Sequence, residues 1–246
     1  MTNIRKSVTQ FMIAHGCVKA SELRSLLEKL VDNDSIQLTD ERVFQLIVEV
    51  NTKLSRFNMM IRGSMDEVTT EKYYVLISTV DNEISRAAIH HSPKQFEFFK
   101  LTLQAIVHEP RGIITYKTLK ELAEKATIQT TSKTRSCQPE YKLLFNDWWK
   151  KSWFLIVSED NEDYITLGVR SMAELDVFIK QNLVERPEDL DCSSCKNLSI
   201  YSVLCPSCQA RFHKRCSKMS IDPETRNCRG CSGGASSQAR NSIRVR

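Results

Sequence analysis

Residues 192–231 read CSSCKNLSIYSVLCPSCQARFHKRCSKMSIDPETRNCRGC, and this stretch decides the fold. It holds seven of the nine cysteines and one of the five histidines in the 246-residue chain. These residues form four pairs, each with a two-residue spacer. The eight are Cys192, Cys195, Cys205, Cys208, His213, Cys216, Cys228 and Cys231. Because four thiolate or imidazole ligands close a structural zinc site, the pattern predicts two zinc ions, with no position open for water.

The spacing of the pairs bears on how they share the two ions. Successive pairs are separated by nine, four and eleven residues, so each loop is too short for an independent finger. The spacing resembles that of RING and PHD fingers. This resemblance implies a cross-braced arrangement, in which the first and third pairs hold one zinc and the second and fourth pairs hold the other. Sequential pairing stays open on the sequence alone.

Composition and charge limit the class of protein. A disulfide framework would need an oxidising compartment, and the polar residues 1–7 contain no apolar signal core. The longest apolar runs, near Ile47 and Trp153, are far shorter than the about 20 residues that span a bilayer. We therefore expect a soluble, intracellular protein with no membrane contact. The net charge of +5 is compatible with work near nucleic acid but too small to show it.

Residues 1–80 have the pattern of a winged-helix domain. Three apolar stripes with helical spacing come first, the second with Ser21 as a candidate N-cap and the third opened by Thr39. Two strand-like segments, residues 59–62 and 73–77, follow on either side of a polar turn. Three helices and a hairpin are the element order of a winged helix.

Residues 92–185 repeat this order after a predicted polar linker at 81–91, whose pair His90-His91 has no second pair of ligands nearby. Ser92 and Gln95 form a predicted capping box, and a short strand, two helices and a hairpin follow. A last helix, expected to begin at a second capping box of Ser171 and Glu174, is predicted to dock the zinc module onto the second winged helix.

Together these segments predict an α+β fold. It consists of tandem winged-helix domains followed by a small cross-braced, two-zinc, RING-like (C4HC3) module at 188–232 and a disordered basic tail at 233–246. Cys17 and Cys137 lie far from the module and are interpreted as ordinary thiols. The tryptophans Trp148, Trp149 and Trp153 are expected to fill a core or an inter-domain contact.

Two winged-helix units followed by this ligand pattern resemble the non-SMC element 1 family, the RING-like subunits of the SMC five-six complex. The most specific parts are the ligand spacing, the passage Tyr164-Ile165-Thr166-Leu167-Gly168, and the short distance from the last predicted helix to Cys192. The resemblance implies a nuclear, chromosome-associated protein that acts in DNA repair by recombination. It implies a MAGE-type winged-helix subunit and a kleisin subunit as partners, and a role as RING-type E3 ubiquitin ligase component that binds a ubiquitin-conjugating enzyme.

A RING finger acts by positioning a charged conjugating enzyme, so no catalytic residue is predicted. Three positions depart from active RING fingers: Ser194 replaces an aliphatic residue, Arg229-Gly230 stands where proline is frequent, and Ser232 replaces a cation. We therefore expect weak, partner-dependent ligase activity. The apolar residues Ile200, Tyr201, Val203 and Leu204 are predicted either to supply part of the apolar contact or to form a small core under the zinc sites.

Other functions stay open. A non-catalytic interaction subunit of the same complex would keep the same partners. A PHD-like histone reader is disfavoured because Arg226 stands where such fingers place an aromatic residue. A winged-helix DNA-binding protein would need a basic recognition helix, whereas both predicted third helices mix lysine and arginine with acidic residues, which leaves only a weak DNA contact open.

Overall fold

The structure, a computed structural model, describes residues 2–30, 38–80, 91–131 and 138–232. The helices in these ranges are α1 (Thr2–His15), α2 (Ala20–Leu30), α3 (Asp40–Leu54), α4 (Pro93–His108), α5 (Tyr116–Lys125), α6 (Glu140–Lys150), α7 (Val169–Glu174), α8 (Asp176–Asn182), α9 (Lys214–Ser220) and α10 (Arg229–Ser232). The strands are β1 (Cys17–Lys19), β2 (Met59–Met65), β3 (Lys72–Ser78), β4 (Ile114–Thr115), β5 (Phe154–Glu159), β6 (Glu162–Leu167), β7 (Ser202–Leu204) and β8 (Arg211–His213). Among these helices, none has the length and apolar character needed to cross a membrane.

The first winged helix packs α1, α2 and α3 on an antiparallel sheet with strand order β1-β3-β2. Thr39 caps α3 as predicted, because its side chain accepts a hydrogen bond from the Arg42 amide at 3.2 Å. The side chain of Asn51 then joins α3 to the sheet, since it bonds to both the amide and the carbonyl of Ile61, at 2.7 and 2.9 Å. The hairpin of β2 and β3 is the wing of this domain.

Helix α2 begins at Ala20, two residues earlier than an N-cap at Ser21 predicts. Ser21 therefore lies inside its first turn, and the prediction of Ser21 as the N-cap is wrong. Strand β1, which the sequence did not predict, leads directly into the helix. Glu22 accepts a hydrogen bond from the amide of Lys19 at 2.9 Å, so an acidic side chain inside the helix satisfies a donor just before it.

The second winged helix has the sheet order β4-β6-β5, and its helix α4 begins with the predicted capping box of Ser92 and Gln95. Trp148 and Trp153 lie in its core, whereas Trp149 is 43% exposed. The indole Nε1 of Trp148 donates a hydrogen bond to Nε2 of His91 at 3.2 Å. Outside the described residues lie Cys137, residues 81–90 of the predicted linker with His90, and the basic tail at 233–246.

The predicted capping box of Ser171 and Glu174 is wrong. Helix α7 begins at Val169, so Ser171 is buried inside it and donates to the carbonyl of Trp153 at 2.6 Å. Glu174 instead forms an ion pair with Arg170 at 2.7 Å. The chain turns from β6 into α7 at Gly168, where a β-carbon would lie 2.2 Å from the carbonyl oxygen of Ser152.

Helix α7 joins the two winged helices. Its Ala173 is buried against Val75 and Ile77 on the outer face of the first sheet. The guanidinium of Arg62 donates to the carbonyl of Ala173 at 2.9 Å. Helix α8 continues towards the cysteine-rich module, where Lys180 forms an ion pair with Asp191 at 2.8 Å.

Candidate metal centre

The first two ligand pairs lie on turns of the same geometry. In each turn the residue after the second cysteine donates its amide to the carbonyl of the first, Lys196 to Cys192 and Gln209 to Cys205, both at 2.8 Å. Lys196 and Gln209 adopt left-handed conformations, with φ of 61° and 59°. Each turn folds its two cysteine side chains to the same side.

The other two pairs are positioned by short regular elements. His213 ends β8 and Cys216 lies in α9, one helical turn further on. Cys228 directly precedes α10, which contains Cys231. Phe212, on the hairpin of β7 and β8, is buried among the cysteines and forms the small core of the module.

The eight predicted ligands come together in two groups. Within each group all the ligand atoms lie within 4.8 Å of one another. One group contains Cys192, Cys195, His213 and Cys216, and the other contains Cys205, Cys208, Cys228 and Cys231. The first pair therefore meets the third and the second meets the fourth, which is the cross-braced arrangement and not the sequential one. Among the described residues these cysteines are free thiols and form no disulfide.

Distances within the groups fit a tetrahedral zinc ion. With zinc–sulfur bonds of about 2.3 Å, two sulfurs on a tetrahedron lie about 3.8 Å apart, and a sulfur and a nitrogen about 3.6 Å apart. The Sγ of Cys228 lies 3.7 Å from that of Cys208 and 3.6 Å from that of Cys231. Nδ1 of His213 lies 3.3 Å from the sulfur of Cys195 and 3.9 Å from that of Cys216.

The pKa values of the cysteine thiols also favour a bound divalent cation. Burial raises the pKa of Cys205, but backbone hydrogen bonds, led by that from Cys228, outweigh it and bring the pKa down to about 6. Hydrogen bonds with Cys208 and Cys228 raise the pKa of Cys231 to about 12, and burial, followed by a neighbouring thiolate, raises that of Cys216 to about 11. A group of bare thiols thus ionises only in part, whereas a divalent cation stabilises all of its thiolates together.

His213 presents Nδ1 to its group while its other ring nitrogen faces protein acceptors. Burial lowers its pKa, so the imidazole is neutral and can act as a ligand. Nε2 lies 3.0 Å from the carbonyl of Leu198 and 3.3 Å from Oε1 of Glu67. Glu67 belongs to the turn of the first wing, and burial raises its pKa to about 7 despite hydrogen bonds from the amides of Tyr201 and Ile200.

The segment around Ile200 anchors the module to the second winged helix. Ile200 is 1% exposed and belongs to the core of that domain together with Leu190 and Leu198. The hydroxyl of Tyr201 donates to Glu159, at the end of β5, at 2.5 Å. The sequence predicted that Ile200, Tyr201, Val203 and Leu204 either contact the conjugating enzyme or form a small core under the zinc sites. Ile200 and Tyr201 do neither, because they dock the module onto the second winged helix. Val203 is 37% exposed.

The sequence predicts the eight ligands but gives little indication of the residues that hold the module in place. Glu67 of the first winged helix, and Gly112 and Glu159 of the second, contact the segment of Ile200 and Tyr201. Gly112 adopts a left-handed conformation, with φ of 69°. Of the three residues, only this one could be suspected from the sequence, because glycine is the usual residue in such conformations. The two carboxylates gave no signal, since each lies in an ordinary polar turn or strand end.

A comparison with protein families adds to this picture. The family model described as the Nse1 non-SMC component of the SMC5-6 complex matches residues 5–175, well over half of the chain. The chain belongs to the Nse1 family. Because the match ends before Cys192, the tandem winged helices carry it, and the two groups of candidate ligands lie outside it.

Relatives and solved structures agree with membership of the Nse1 family. The Xenopus laevis non-structural maintenance of chromosomes element 1 homolog is 23% identical over 207 residues, 84% of this chain and 73% of that protein. Its Drosophila melanogaster counterpart is 24% identical over 176 residues, 72% of this chain and 71% of that protein. A chain of a solved Nse1-Nse3-Nse4 complex has a TM-score of 0.71 at 20% identity, with coverage of 92% and 95%. The α+β fold predicted from the sequence, with tandem winged helices and a RING-like module, is confirmed.

The exposed loops that carry the candidate ligands of this Nse1-family chain are polar. Ser194, Arg229 and Gly230, which depart from active RING fingers, are all exposed. Arg226 is also exposed and left-handed, with φ of 56°, which leaves no place for the aromatic core residue of a PHD finger. Met219, which is 71% exposed on α9, is the largest apolar side chain on the described surface of the module.

Proposed function

We propose that this chain is the Nse1 subunit of an SMC5-6 complex, bound to an Nse3-type, MAGE-like winged-helix subunit and an Nse4-type kleisin. The proposal rests on family membership and on the full-length similarity to a chain of an Nse1-Nse3-Nse4 complex. In this role the protein is nuclear and chromosome-associated, and it acts in DNA repair by recombination.

The surface of α3 supports a protein partner over DNA. Phe44 and Val48 lie one helical turn apart and are 56% and 48% exposed, so α3 presents an apolar stripe to the outside. Directly after α6, the ammonium of Lys151 is paired with Asp147 of that helix at 2.9 Å. Recognition helices that read DNA expose unpaired basic residues instead, so DNA contact is weak in this proposal.

The eight residues Cys192, Cys195, Cys205, Cys208, His213, Cys216, Cys228 and Cys231 hold two structural zinc ions in this proposal. The donor set of seven thiols and one imidazole is the kind that selects zinc. Zinc bound there supplies folding free energy to the module. Each group offers four ligands, so neither site has a free position at which a substrate could bind the metal.

The cross-braced pairing of the ligands is the observation that carries the proposal of RING-type E3 ubiquitin ligase activity. Such a module binds a ubiquitin-charged conjugating enzyme and orients its thioester for attack, so its contribution is positioning. Because Ser194 and Arg229 make the exposed zinc loops polar, and because Ile200 and Tyr201 serve docking, the contact with the conjugating enzyme is weak. Activity therefore depends on the Nse3-type partner.

A ubiquitination assay with and without the Nse3-type partner tests this function. We expect low autoubiquitination by the chain alone and a clear increase with the partner. Ser194→Ile, which restores an aliphatic residue on the exposed first zinc loop, should raise the rate several-fold. Its matched control is Ser193→Ile, because Ser193 is the exposed neighbour at a position where RING fingers do not need an aliphatic residue.

A second candidate function, a non-catalytic interaction subunit, is favoured by the same polar loops. It predicts no ubiquitin transfer in any arm of the assay, including Ser194→Ile with the partner present. In that case the zinc module would act as a folded interface only. Equal gains from Ser193→Ile and Ser194→Ile would mean that added apolar surface, and not a RING contact, raised the rate.

A further inference from the structure

Glu67 is a buried carboxylate that the proposed ligase function does not use. It lies in the turn between β2 and β3, and its side chain is 5% exposed. Its oxygens accept hydrogen bonds from the amides of Ile200, at 3.1 Å, and of Tyr201, at 2.9 Å. A buried carboxylate is costly unless such donors satisfy it, so the wing of the first winged helix and the cysteine-rich module are built to fit each other.

The same carboxylate reaches the imidazole of a predicted ligand. Oε1 of Glu67 lies 3.3 Å from Nε2 of His213, which is also 3.0 Å from the carbonyl of Leu198. On the other side of the ring, Nδ1 faces the sulfurs of Cys195 and Cys216. In protein metal sites, the second ring nitrogen of a ligating histidine donates to a carboxylate or a carbonyl, which fixes the tautomer and makes the ligand more basic.

We propose that Glu67 is a positioning residue for the metal site of Cys192, Cys195, His213 and Cys216, which makes the wing of the first winged helix part of the zinc centre. It acts directly, through its charge, because Oε1 lies 3.3 Å from Nε2 of His213 and stabilises the proton that this nitrogen donates to the carbonyl of Leu198, so that Nδ1 carries the lone pair. It also acts through the backbone, by fixing the turn that presents the carbonyl of Leu198 to the same nitrogen. The inference rests on the zinc sites of the proposed function.

The second ligand group, which contains Cys205, Cys208, Cys228 and Cys231, is positioned by contacts that do not involve the wing of the first winged helix. The sulfur of Cys205 accepts a hydrogen bond from the amide of Cys228 at 3.2 Å. The side-chain oxygen of Asn227, the residue before Cys228, accepts one from the hydroxyl of Ser207 at 2.6 Å. These contacts lie within the module. Loss of the Glu67 carboxylate should therefore weaken one zinc site and spare the other.

Glu159 provides a matched control. Like Glu67, it is a carboxylate from a winged helix that holds the turn at Tyr201, in this case through the hydroxyl group. It does not contact His213 in the described structure. A variant at Glu159 therefore loosens the docking of the turn and leaves the imidazole contact in place.

The test is metal affinity measured site by site on the full chain. Zinc is removed by competition with a chromophoric chelator, and Co²⁺ replaces it in a parallel titration, because its visible spectrum separates a site with three sulfurs and one nitrogen from one with four sulfurs. We expect Glu67→Gln to weaken the three-sulfur site about 10- to 100-fold and to leave the four-sulfur site unchanged. Glu159→Gln should leave both sites unchanged, and Glu67→Asp, which keeps a shorter carboxylate, should fall between Glu67→Gln and the unsubstituted chain.

Two outcomes would overturn the inference while two metal ions are bound. One is an unchanged three-sulfur site in Glu67→Gln, and the other is an equal loss in Glu67→Gln and Glu159→Gln, which would make both residues simple docking contacts. If the chain binds no metal, the proposed zinc sites themselves are wrong. Far-UV circular dichroism verifies that each variant is folded, and Glu67→Asp serves as the test variant if Glu67→Gln is not.

Discussion

At Gly112 a single missing β-carbon lets the second winged helix and the module approach each other. The residue has φ of 69°, and a β-carbon there would lie 2.1 Å from the carbonyl oxygen of Ile200. Thr166 fixes the position further, because its hydroxyl donates to the carbonyl of Gly112 at 2.7 Å. We expect Gly112→Ala to destabilise the protein by on the order of 3 kcal/mol, from left-handed strain and overlap together, as measured by chemical denaturation.

Gly63→Ala is the control for this substitution. Gly63 is exposed on β2, has no left-handed conformation, and a β-carbon there would lie 3.8 Å from the nearest atom, on Lys72. Its alanine variant should change stability by less than about 0.5 kcal/mol. Similar values for the two variants would show that the close approach at Ile200 carries no cost, and would contradict the docking geometry.

Individual residues differ in how well the sequence predicts their structural role. The eight candidate metal ligands could be named from the sequence because cysteine and histidine are chemically distinctive and their spacing is local. Glu67 could not, because its hydrogen-bond partner Ile200 lies 133 residues away and a glutamate in a polar turn is ordinary. The same holds for Glu159, whose contact with Tyr201 exists only once two domains have met.

At the scale of elements, helix starts provide a direct test of the structure. The hydroxyl of Ser92 accepts from the amide of Gln95 and completes the capping box of α4, so Ser92→Ala should cost about 1 kcal/mol. Ser21 is also a candidate N-cap by sequence, with Arg24 in place of a capping-box Glu or Gln, but it lies exposed inside the first turn of α2. Ser21→Ala should therefore be neutral or slightly stabilising, since alanine has the higher helix propensity. Thermal unfolding of the two variants measures the difference, and equal losses would place the start of α2 at Ser21 after all.

The sequence predicted helix starts correctly where neither a neighbouring strand nor a tertiary hydrogen bond involved the capping residue. Thr39 follows Leu38 and Ser92 follows the predicted linker, and both cap their helices. Ser21 follows a three-residue strand too short to show an alternating pattern. Ser171 is buried and bonds to the carbonyl of Trp153, a tertiary contact that outweighs the local capping pattern. Local chemistry thus predicted the elements, and contacts between domains moved their ends.

At the scale of the whole molecule, the module is not an independent finger. Ligand spacing alone predicts that loss of metal unfolds only the last residues and leaves both winged helices folded. In the structure, however, Leu190, Leu198 and Ile200 complete the core of the second winged helix. Burial of Leu198 and Ile200 contributes about 1.5–3 kcal/mol each, a large share of the roughly 5–15 kcal/mol that stabilises a domain.

Removal of metal should therefore destabilise the second winged helix as well as the module. After treatment of the zinc-loaded chain with a chelator, we expect faster amide hydrogen exchange in residues 188–232 and also in β4, β6 and α8, which share their core with Ile200. Helix α3 should keep its protection, because its core of Val43, Ile47 and Val50 belongs to the first winged helix. Mass spectrometry of peptides before and after chelation measures both. Faster exchange confined to 188–232 would show that the module folds on its own, and that the shared core adds no stability to the domain beside it.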